Sequence, residues 1–335
     1  MSLASSMPWG AGQPWPRRRF LAGMVAATAC RPPRSPRRAP PTVRTIDAHR
    51  QRLRTLSLPD WGRLRFVDEG RGPAIMLVHG VPTSSWLYRH MIDALVARGF
   101  RVVAPDLIGF GASDKPRNPA LLTADRQGQR LHTLATALGL REWTQVCHDA
   151  GGPWTWEMLR LGGPQPRRLA VLNTIAYAEG WHPPIRLREG GRLGHSARRN
   201  LVRQYIGRRA VKLILNAGTS QRGLFDDPNV IDGYWRSMPE GTANAVVSFM
   251  EHLDRLETRL PVYQHALRNY LGRATIIWGA NDDILDGQRQ VPPLAKALAV
   301  APADVHVLPQ RKHFLQEEDP DQLVELLTAF VARWP

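Results

Sequence analysis

The stretch QVCHDAGGPW, residues 145–154, decides the fold of this chain. It starts within an apolar strand predicted at 144–147, and the small residues Cys147 and Gly151 stand two positions before and after Asp149. This pattern is typical of a sharp strand-to-helix turn, which lifts one side chain above the end of a sheet. Such turns usually present a serine. Here the turn presents Asp149, so the sequence predicts a nucleophilic carboxylate at this position.

Outward from this turn, short apolar strands alternate with amphipathic helices, which indicates an α/β fold with a mostly parallel sheet. The predicted strands are 64–67, 74–78, 102–104, 144–147, 169–172, 275–278 and 305–308, and the predicted helices are 86–98, 125–138, 153–161, 291–299 and 320–333. The alternation stops over residues 176–260. An insertion of this size between core strands predicts a helical cap, or lid, with the core formed by residues 53–175 and 261–335.

Two further strand ends carry residues that suit catalysis. The segment IIWGANDDIL, 276–285, ends a strand with Asp282, and in VLPQRKHFLQEEDP, 307–320, His313 follows another strand. Ligands of open α/β sheets bind at the carboxyl ends of the strands. The order nucleophile, acid and histidine is the one expected for this kind of turn. We therefore predict that Asp149, Asp282 and His313 form a catalytic triad.

Composition and charge exclude several other classes of protein. The chain is 43% hydrophobic and 22% charged, as in an ordinary globular protein, and no apolar run is long enough to predict a membrane span. The net charge of +16 is concentrated in the first 54 residues, which hold eleven arginines and one acid, so no nucleic-acid partner is predicted. Cys30 and Cys147 have no metal-site or disulfide-framework spacing, and neither a metal nor an organic cofactor is predicted.

Residues 1–52 are predicted as a leader with two open interpretations. Arg17, Arg18, Phe20 and Leu21, followed by a weakly apolar stretch ending in Ala-Thr-Ala, are typical of a twin-arginine export signal. The alternative is a disordered Arg/Pro-rich leader, because RPPRSPRRAPP cannot form a packed element. An export signal would place the protein in the periplasm or outside the cell, and the alternative would leave it in the cytoplasm.

Five segments resemble the haloalkane dehalogenase and epoxide hydrolase branch of the α/β-hydrolases, namely VDEG (67–70), HGVPTSSWLYR (79–89), RVVAPDLIGFGASDKP (101–116), CHDAGG (147–152) and HFLQEEDP (313–320). The resemblance covers nearly all of residues 55–333 outside the cap. It implies the α/β-hydrolase fold, with a mostly parallel eight-stranded sheet flanked by helices and an inserted helical cap. HGxP together with HDxGG, with aspartate as the nucleophile, separates this branch from serine esterases.

The resemblance also implies roles for the site residues. Asp149 is the nucleophile, His313 the base and Asp282 the acid that orients the base, while the backbone N–H groups of Val81 and Ala150 form the oxyanion hole. A carboxylate is already ionised at neutral pH and can attack a saturated carbon without a base. The product is an alkyl ester, which a water activated by the histidine then hydrolyses. The implied substrate is a small apolar organic molecule.

The leaving-group contacts depart from the family pattern. Haloalkane dehalogenases commonly hold the halide with a Trp after the nucleophile and an Asn in the HGxP segment, and these positions here are Ala150 and Val81. Trp181 in the cap is the candidate substitute, while Tyr205 and Tyr234 are candidates for the tyrosines with which epoxide hydrolases protonate the opening oxygen. Three hypotheses stay open: a haloalkane dehalogenase-like hydrolase first, an epoxide hydrolase as the alternative, and a non-catalytic ligand-binding relative.

Three other features are predicted to be structural or supporting. Pro82 is predicted to follow a cis peptide bond. The acidic residues 317–319 are predicted to cap the last helix and to charge its first turn. Residues 173–174 lack the acid that some dehalogenases place after the sixth strand, which leaves Asp282 as the single candidate for the orienting acid.

Overall fold

The computed structural model of the chain describes residues 44–59, 61–182, 207–253 and 256–334, together with Ser196, Ala197 and Asn200. The first 43 residues of the predicted leader and the candidate Tyr205 therefore lie outside the described residues. Across the described ranges, every helix is too short or too polar to span a membrane.

Eight strands form one sheet at the centre of the described structure. They are β1 (Arg54–Leu58), β2 (Gly62–Glu69), β3 (Ala74–Val78), β4 (Arg101–Asp106), β5 (Trp143–Asp149), β6 (Arg168–Thr174), β7 (Arg273–Gly279) and β8 (Val305–Leu308). Their order across the sheet is β1-β2-β4-β3-β5-β6-β7-β8. The pairs β1–β2 and β2–β4 are antiparallel and the other pairs are parallel. The predicted fold, with a mostly parallel eight-stranded sheet, is confirmed.

Helices flank the sheet and also fill much of the described part of the insertion. Their bounds are α1 (Ile46–Gln51), α2 (Arg89–Ala97), α3 (Ala124–Ala137), α4 (Gly151–Arg160), α5 (Arg208–Ala217), α6 (Pro228–Trp235), α7 (Ala243–Leu253), α8 (Leu256–Arg268), α9 (Gly287–Ala297), α10 (Leu315–Glu318) and α11 (Pro320–Arg333). Helices α5 to α7 lie within residues 176–260, the segment called the cap below. Helix α8 continues past residue 260, so the predicted end of the cap falls inside a helix.

Side chains of the inner strands point alternately into two hydrophobic clusters. In β3, Ile75 and Leu77 belong to one cluster while Met76 and Val78 belong to the other, and all four are fully buried. Helices α2 and α11 contribute to the first cluster, and α3, α4 and α8 to the second. Because helices cover both faces of the sheet, its inner strands are continuous apolar runs, which is why the sequence reveals them.

Two elements at the start of the described chain were not predicted. Helix α1 lies inside the segment interpreted as a leader, where the Thr45 side chain accepts the N–H of Ala48 at the helix start. The guanidinium of Arg44 forms ion pairs with Glu69 and Asp93, which fix this segment to the core. Strand β1 is an edge strand with mostly exposed side chains, so its sequence lacks the apolar run that marks the inner strands.

Candidate active site

Asp149 lies at the turn between β5 and α4. Its backbone φ of 52° is in the left-handed region, which costs a residue other than glycine about 1–2 kcal/mol. The turn is packed too tightly for larger neighbours, because a Cβ added to Gly80 would collide with the Asp149 side chain and one added to Gly151 would collide with the Val78 carbonyl. The hydroxyl of Thr174 donates to the carbonyl oxygen of Asp149. The strand-to-helix turn thus has the strained form that the sequence indicated.

The structure brings Asp149, His313 and Asp282 together from three strand ends. The Nδ1 atom of His313 lies 2.8 Å from Oδ2 of Asp282, and its Nε2 atom lies 3.6 Å from Oδ2 of Asp149. The Asp149 side chain is 12% exposed, compared with 2% for His313 and 0% for Asp282. The carboxylate at the turn is therefore the most exposed member of the group.

The amide of Val81 contacts the second oxygen of Asp149. Its N–H donates to Oδ1 at 2.6 Å. The peptide bond between Val81 and Pro82 is cis, as the sequence predicted. Ala150 is the N-cap residue directly before α4, where helix amides lack partners within the helix. An ester formed through Oδ2 would leave Oδ1 as a carbonyl oxygen on the Val81 amide, and a role for the Ala150 amide stays a prediction.

Asn173, at the end of β6, holds the acid of the group in place. Its side-chain Nδ2 donates to Oδ2 of Asp282 at 2.6 Å, the same oxygen that His313 contacts. Its Oδ1 accepts the N–H of Gly279. The other oxygen of Asp282 accepts the amides of Ile284 and Leu285 at 2.8 and 3.0 Å. The sequence had marked the position of Asn173 only by its lack of an acid.

We expect Asn173→Ala to slow hydrolysis of the predicted ester by about tenfold, because Asp282 then orients the imidazole with one donor fewer. The change also leaves the Gly279 N–H and Oδ2 of Asp282 without the hydrogen bonds that Asn173 supplies, so the free energy of unfolding should fall by about 1–3 kcal/mol. Single-turnover decay of the ester and urea unfolding measure the two effects separately. Ester decay at the rate of the original protein would show that the asparagine does not act through Asp282.

His313 is held as a cation in the resting site. Burial alone would lower its pKa, but the charges of Asp282 and Asp149 and the hydrogen bond to Asp282 outweigh burial and raise the pKa to about 10. Burial would raise the pKa of each carboxyl group, yet His313 keeps the pKa of Asp149 and of Asp282 below its ordinary value. At neutral pH the arrangement is an imidazolium between two carboxylates.

Esterification of Asp149 would change the protonation of His313. An ester carries no charge, so the Asp149 contribution to the raised pKa disappears, and burial opposes Asp282 alone. The pKa of His313 then falls and its proton can leave to solvent. The imidazole would thus become a base only once an ester is present.

These ion pairs should make the fold less stable at alkaline pH. The folded-state pKa of His313, about 10 against an ordinary 6.5, gives a stabilisation that is complete below 6.5 and is lost as the pH rises through about 10. The same ion pairs lower the pKa values of Asp149 and Asp282. Their stabilisation is therefore present above pH 3.8 and is lost as the pH falls through the pKa values of the folded state.

We therefore expect the melting temperature to fall by several degrees between neutral pH and about pH 10, as measured by calorimetry. Other groups also titrate in this range, so His313→Gln is the reference, and its melting temperature should fall less. If the melting temperatures of the two proteins fell equally between neutral pH and about pH 10, the assignment of His313 as a cation would be wrong.

Trp181, one of the leaving-group candidates in the cap, lies beside the loop that carries Asp282. Its backbone bridges to Leu285, three residues after Asp282, and its side chain is partly buried against the core. Two other tryptophans have their indole N–H groups engaged, since Trp86 donates to the Val230 carbonyl and Trp156 to that of Ile175. Trp181 stays a prediction, and Tyr205 lies outside the described residues.

Tyr234, the remaining candidate, is buried beside the ion pair between Arg89 and Glu317. Its hydroxyl donates to Glu317, whose carboxylate also accepts from Arg89 at 2.7 Å. Burial and the charge of Glu317 raise the pKa of Tyr234 well above its ordinary value, so its proton is retained. That proton is engaged by Glu317 in this structure, and its donation to a substrate oxygen stays a prediction.

The acidic residues 317–319 do not cap the last helix, which corrects the prediction. No side-chain hydrogen bond caps α11 at Asp319, whose carboxylate pairs with Arg311 at 2.9 Å. Glu317 binds Arg89, and the Glu318 side chain binds the cap and the amide of Lys312. Their partners are far away in sequence or in a loop, so local pattern could not reveal them.

Comparison with known proteins gives concordant matches. A family model described as the alpha/beta hydrolase fold matches residues 73–320. Haloalkane dehalogenase 2 of Mycobacterium tuberculosis is 32% identical over 276 residues, covering 78% of this chain and 89% of that protein. Bifunctional epoxide hydrolase 2 of Sus scrofa is 38% identical over 112 residues, covering 33% of this chain and 20% of that protein.

A solved structure extends the likeness in fold. A thermophilic esterase from Thermogutta terrifontis matches with a TM-score of 0.65 at 20% identity, covering 84% of this chain and 98% of the esterase. Similarity at this level of identity concerns the fold alone. The chemistry must be argued from the residues at the strand ends.

Proposed function

The chain belongs to the α/β-hydrolase family, and from that membership we propose a hydrolase that forms an alkyl ester on Asp149 and then hydrolyses it with water activated by His313. One observation carries the proposal. A carboxylate stands on the strained turn, with one oxygen 3.6 Å from the imidazole and the other on the Val81 amide. This gives a nucleophile, a base and an oxyanion donor in one place.

In the first step, Oδ2 of Asp149 attacks a saturated carbon and the bond from that carbon to the leaving group breaks. The leaving group departs with the electron pair, so a halide needs no proton. The lowered pKa of Asp149 keeps the carboxylate ionised without a base. His313 is not needed as a base at this stage, which agrees with its protonated resting state.

In the second step, the neutral imidazole of His313 takes a proton from water, and the water oxygen adds to the ester carbonyl carbon. The Val81 amide stabilises the negative oxygen that forms. The tetrahedral intermediate then expels the alcohol, which takes the proton from the imidazolium, and Asp149 is restored. Asp282 holds the imidazole tautomer throughout.

The proposed activity is haloalkane dehalogenase-like, on small apolar haloalkanes. The 32% identity to haloalkane dehalogenase 2 along most of both chains supports this choice. Epoxide hydrolysis is the second candidate, supported by the shorter match to an epoxide hydrolase. Epoxide opening needs a proton for the ring oxygen, and the hydroxyl of Tyr234 is already engaged by Glu317. We therefore rank it second.

The test is a panel of 1-chloroalkanes and 1-bromoalkanes assayed for halide release, beside styrene oxide assayed for diol. Halide release without diol supports the first candidate, and diol without halide release supports the second. Saturable binding of haloalkanes with neither product would favour a ligand-binding relative and would overturn the catalytic proposal. Asp149→Asn is the negative control, because it separates enzymatic halide release from spontaneous hydrolysis.

A further inference from the structure

The cap is hydrogen-bonded to the backbone of the loop that carries His313. The carbonyl oxygen of Gly218, just after α5, accepts the N–H groups of His313 at 2.9 Å and of Phe314 at 3.0 Å. Gln221 donates to the carbonyl oxygen of Glu318 at 2.9 Å. Residues 218–221 and 312–318 together are called the cap–histidine junction below.

The carboxylate of Glu318 joins the two sides of this junction. One oxygen, Oε1, accepts both the backbone N–H and the hydroxyl of Ser220 in the cap. The other oxygen, Oε2, accepts the N–H of Lys312 at 2.7 Å, and Lys312 directly precedes His313. Glu318 is 6% exposed, so its carboxylate has little access to water as a substitute partner, although Ser220 itself lies at the surface.

We propose that Glu318 is a positioning residue for catalysis, which fixes the backbone next to His313 to the cap at Ser220 and so sets the place of the imidazole over Asp149. The proposal builds on the proposed function, since it deepens the account of the second step. Glu318 touches neither substrate nor the reacting atoms. It acts through the peptide unit between Arg311 and Lys312, whose N–H it accepts directly before His313.

The geometry of His313 explains why such a constraint matters. The imidazole is fixed at Nδ1 by Asp282, but its Nε2 is 3.6 Å from Asp149, outside ordinary hydrogen-bond distance. On the other side of the backbone, Nε2 of His148 lies 2.9 Å from the His313 carbonyl oxygen. The main chain of His313 is thus held between strand β5 and the cap, and a small displacement would move the base relative to the ester carbon.

The contacts also separate positioning from general stabilisation of the fold. The neighbouring Asp319 carries a carboxylate in the same loop but pairs with Arg311, a partly exposed residue. Loss of the Asp319 charge should leave the Lys312 amide and Ser220 in place. Glutamine at position 318 keeps one acceptor oxygen in place of two, so Glu318→Gln should break the bridge by releasing either Ser220 or the Lys312 amide. Asp319→Asn is therefore a matched control for Glu318→Gln.

The experiment measures ester formation and ester decay separately in Glu318→Gln, with 1-bromobutane as the probe. Quenched samples are digested, and mass spectrometry gives the alkylated fraction of the peptide that holds Asp149. We expect ester decay to slow by about tenfold while ester formation changes by less than about twofold, because His313 is the base only in the second step. Asp319→Asn should change neither rate.

Ser220→Ala provides a milder variant that keeps the cap amide and removes one hydrogen bond to Glu318. We expect ester decay to slow by about threefold in this variant. In the double variant, Glu318→Gln with Ser220→Ala, ester decay should be no slower than in Glu318→Gln alone, because Glu318→Gln already breaks the bridge. Independent, multiplicative effects of the two changes would overturn the coupling through Ser220.

A second measurement needs no turnover. The proton shared between His313 Nδ1 and Asp282 should give a resolved downfield signal in proton NMR, and Glu318→Gln should shift or broaden it while Asp319→Asn should not. Unchanged decay with an unchanged signal would overturn the proposal, as would equal losses in ester formation and decay. If no protein in the series forms an ester, the proposed function fails, and the NMR signal still decides the positioning role.

Discussion

The His313→Gln variant should form the ester on Asp149 and then fail to hydrolyse it, so that the protein accumulates as a covalent alkyl-enzyme. Attack on the substrate needs only the ionised carboxylate, and the Val81 amide that holds it is untouched by the change. Ester hydrolysis needs a base at the position of Nε2, which glutamine does not supply. The second step should therefore slow by roughly 10²–10⁴-fold.

Mass spectrometry of the variant after exposure to a 1-bromoalkane should show one added alkyl group on the peptide containing Asp149. His265→Gln is the control, because His265 is an exposed histidine on α8, and it should turn over as the original protein does. Halide should be released in a single burst of about one equivalent per site. Continued turnover in His313→Gln would remove the base from the proposed mechanism.

The sequence was sufficient to predict which residues at strand ends the structure brings together. Asp149, Asp282 and His313 each follow an apolar run, and the ends of parallel strands meet at one edge of the sheet. Those runs are recognisable because β5, β6 and β7 are buried on both faces. The edge strand β1 and helix α1 lack that signal, and the Arg-rich sequence that contains α1 was interpreted as leader.

The supporting contacts could not be predicted in the same way. Asn173 meets Asp282 across 109 positions, and Glu318 meets Ser220 across 98. Nothing in the local pattern distinguishes a buried acid with a distant partner from an acid that caps a helix, so residues 317–319 were assigned to the helix. A single useful signal was present at Asn173, which stands at the carboxyl end of a strand next to that of the nucleophile.

The electrostatics of the site explain how one histidine suits both steps. Before reaction, the imidazolium of His313 stabilises two carboxylates whose pKa values burial alone would raise. After the proposed esterification, the loss of one negative charge would lower the pKa of His313 and free the base. His148, directly before the nucleophile, stays neutral, because burial lowers its pKa to about 4. It therefore adds no positive charge beside the imidazolium.

The Asp149→Asn variant should lose the first step altogether. The amide has nearly the shape of the carboxylate, and its oxygen can still accept the Val81 N–H. A neutral amide is a poor nucleophile toward a saturated carbon, so turnover should fall by roughly 10⁴-fold or more. Asp283→Asn is the matched control, since that aspartate is 76% exposed and pairs with the Lys312 ammonium. Its turnover should stay near that of the original protein.

A labelling experiment on the unaltered protein tests whether Asp149 forms the ester, without relying on a variant. In a single turnover in water carrying heavy oxygen, hydrolysis of an ester at its carbonyl leaves the heavy atom in the Asp149 carboxylate and the original aspartate oxygen in the alcohol. Direct attack of water on the substrate would instead put the heavy atom into the alcohol and leave the peptide unlabelled. Label in the alcohol alone, or full turnover by Asp149→Asn, would show that the carboxylate at the turn never binds the substrate carbon. Label in the peptide would require that Asp149 was covalently attached to it, because no other route exchanges that oxygen within one turnover.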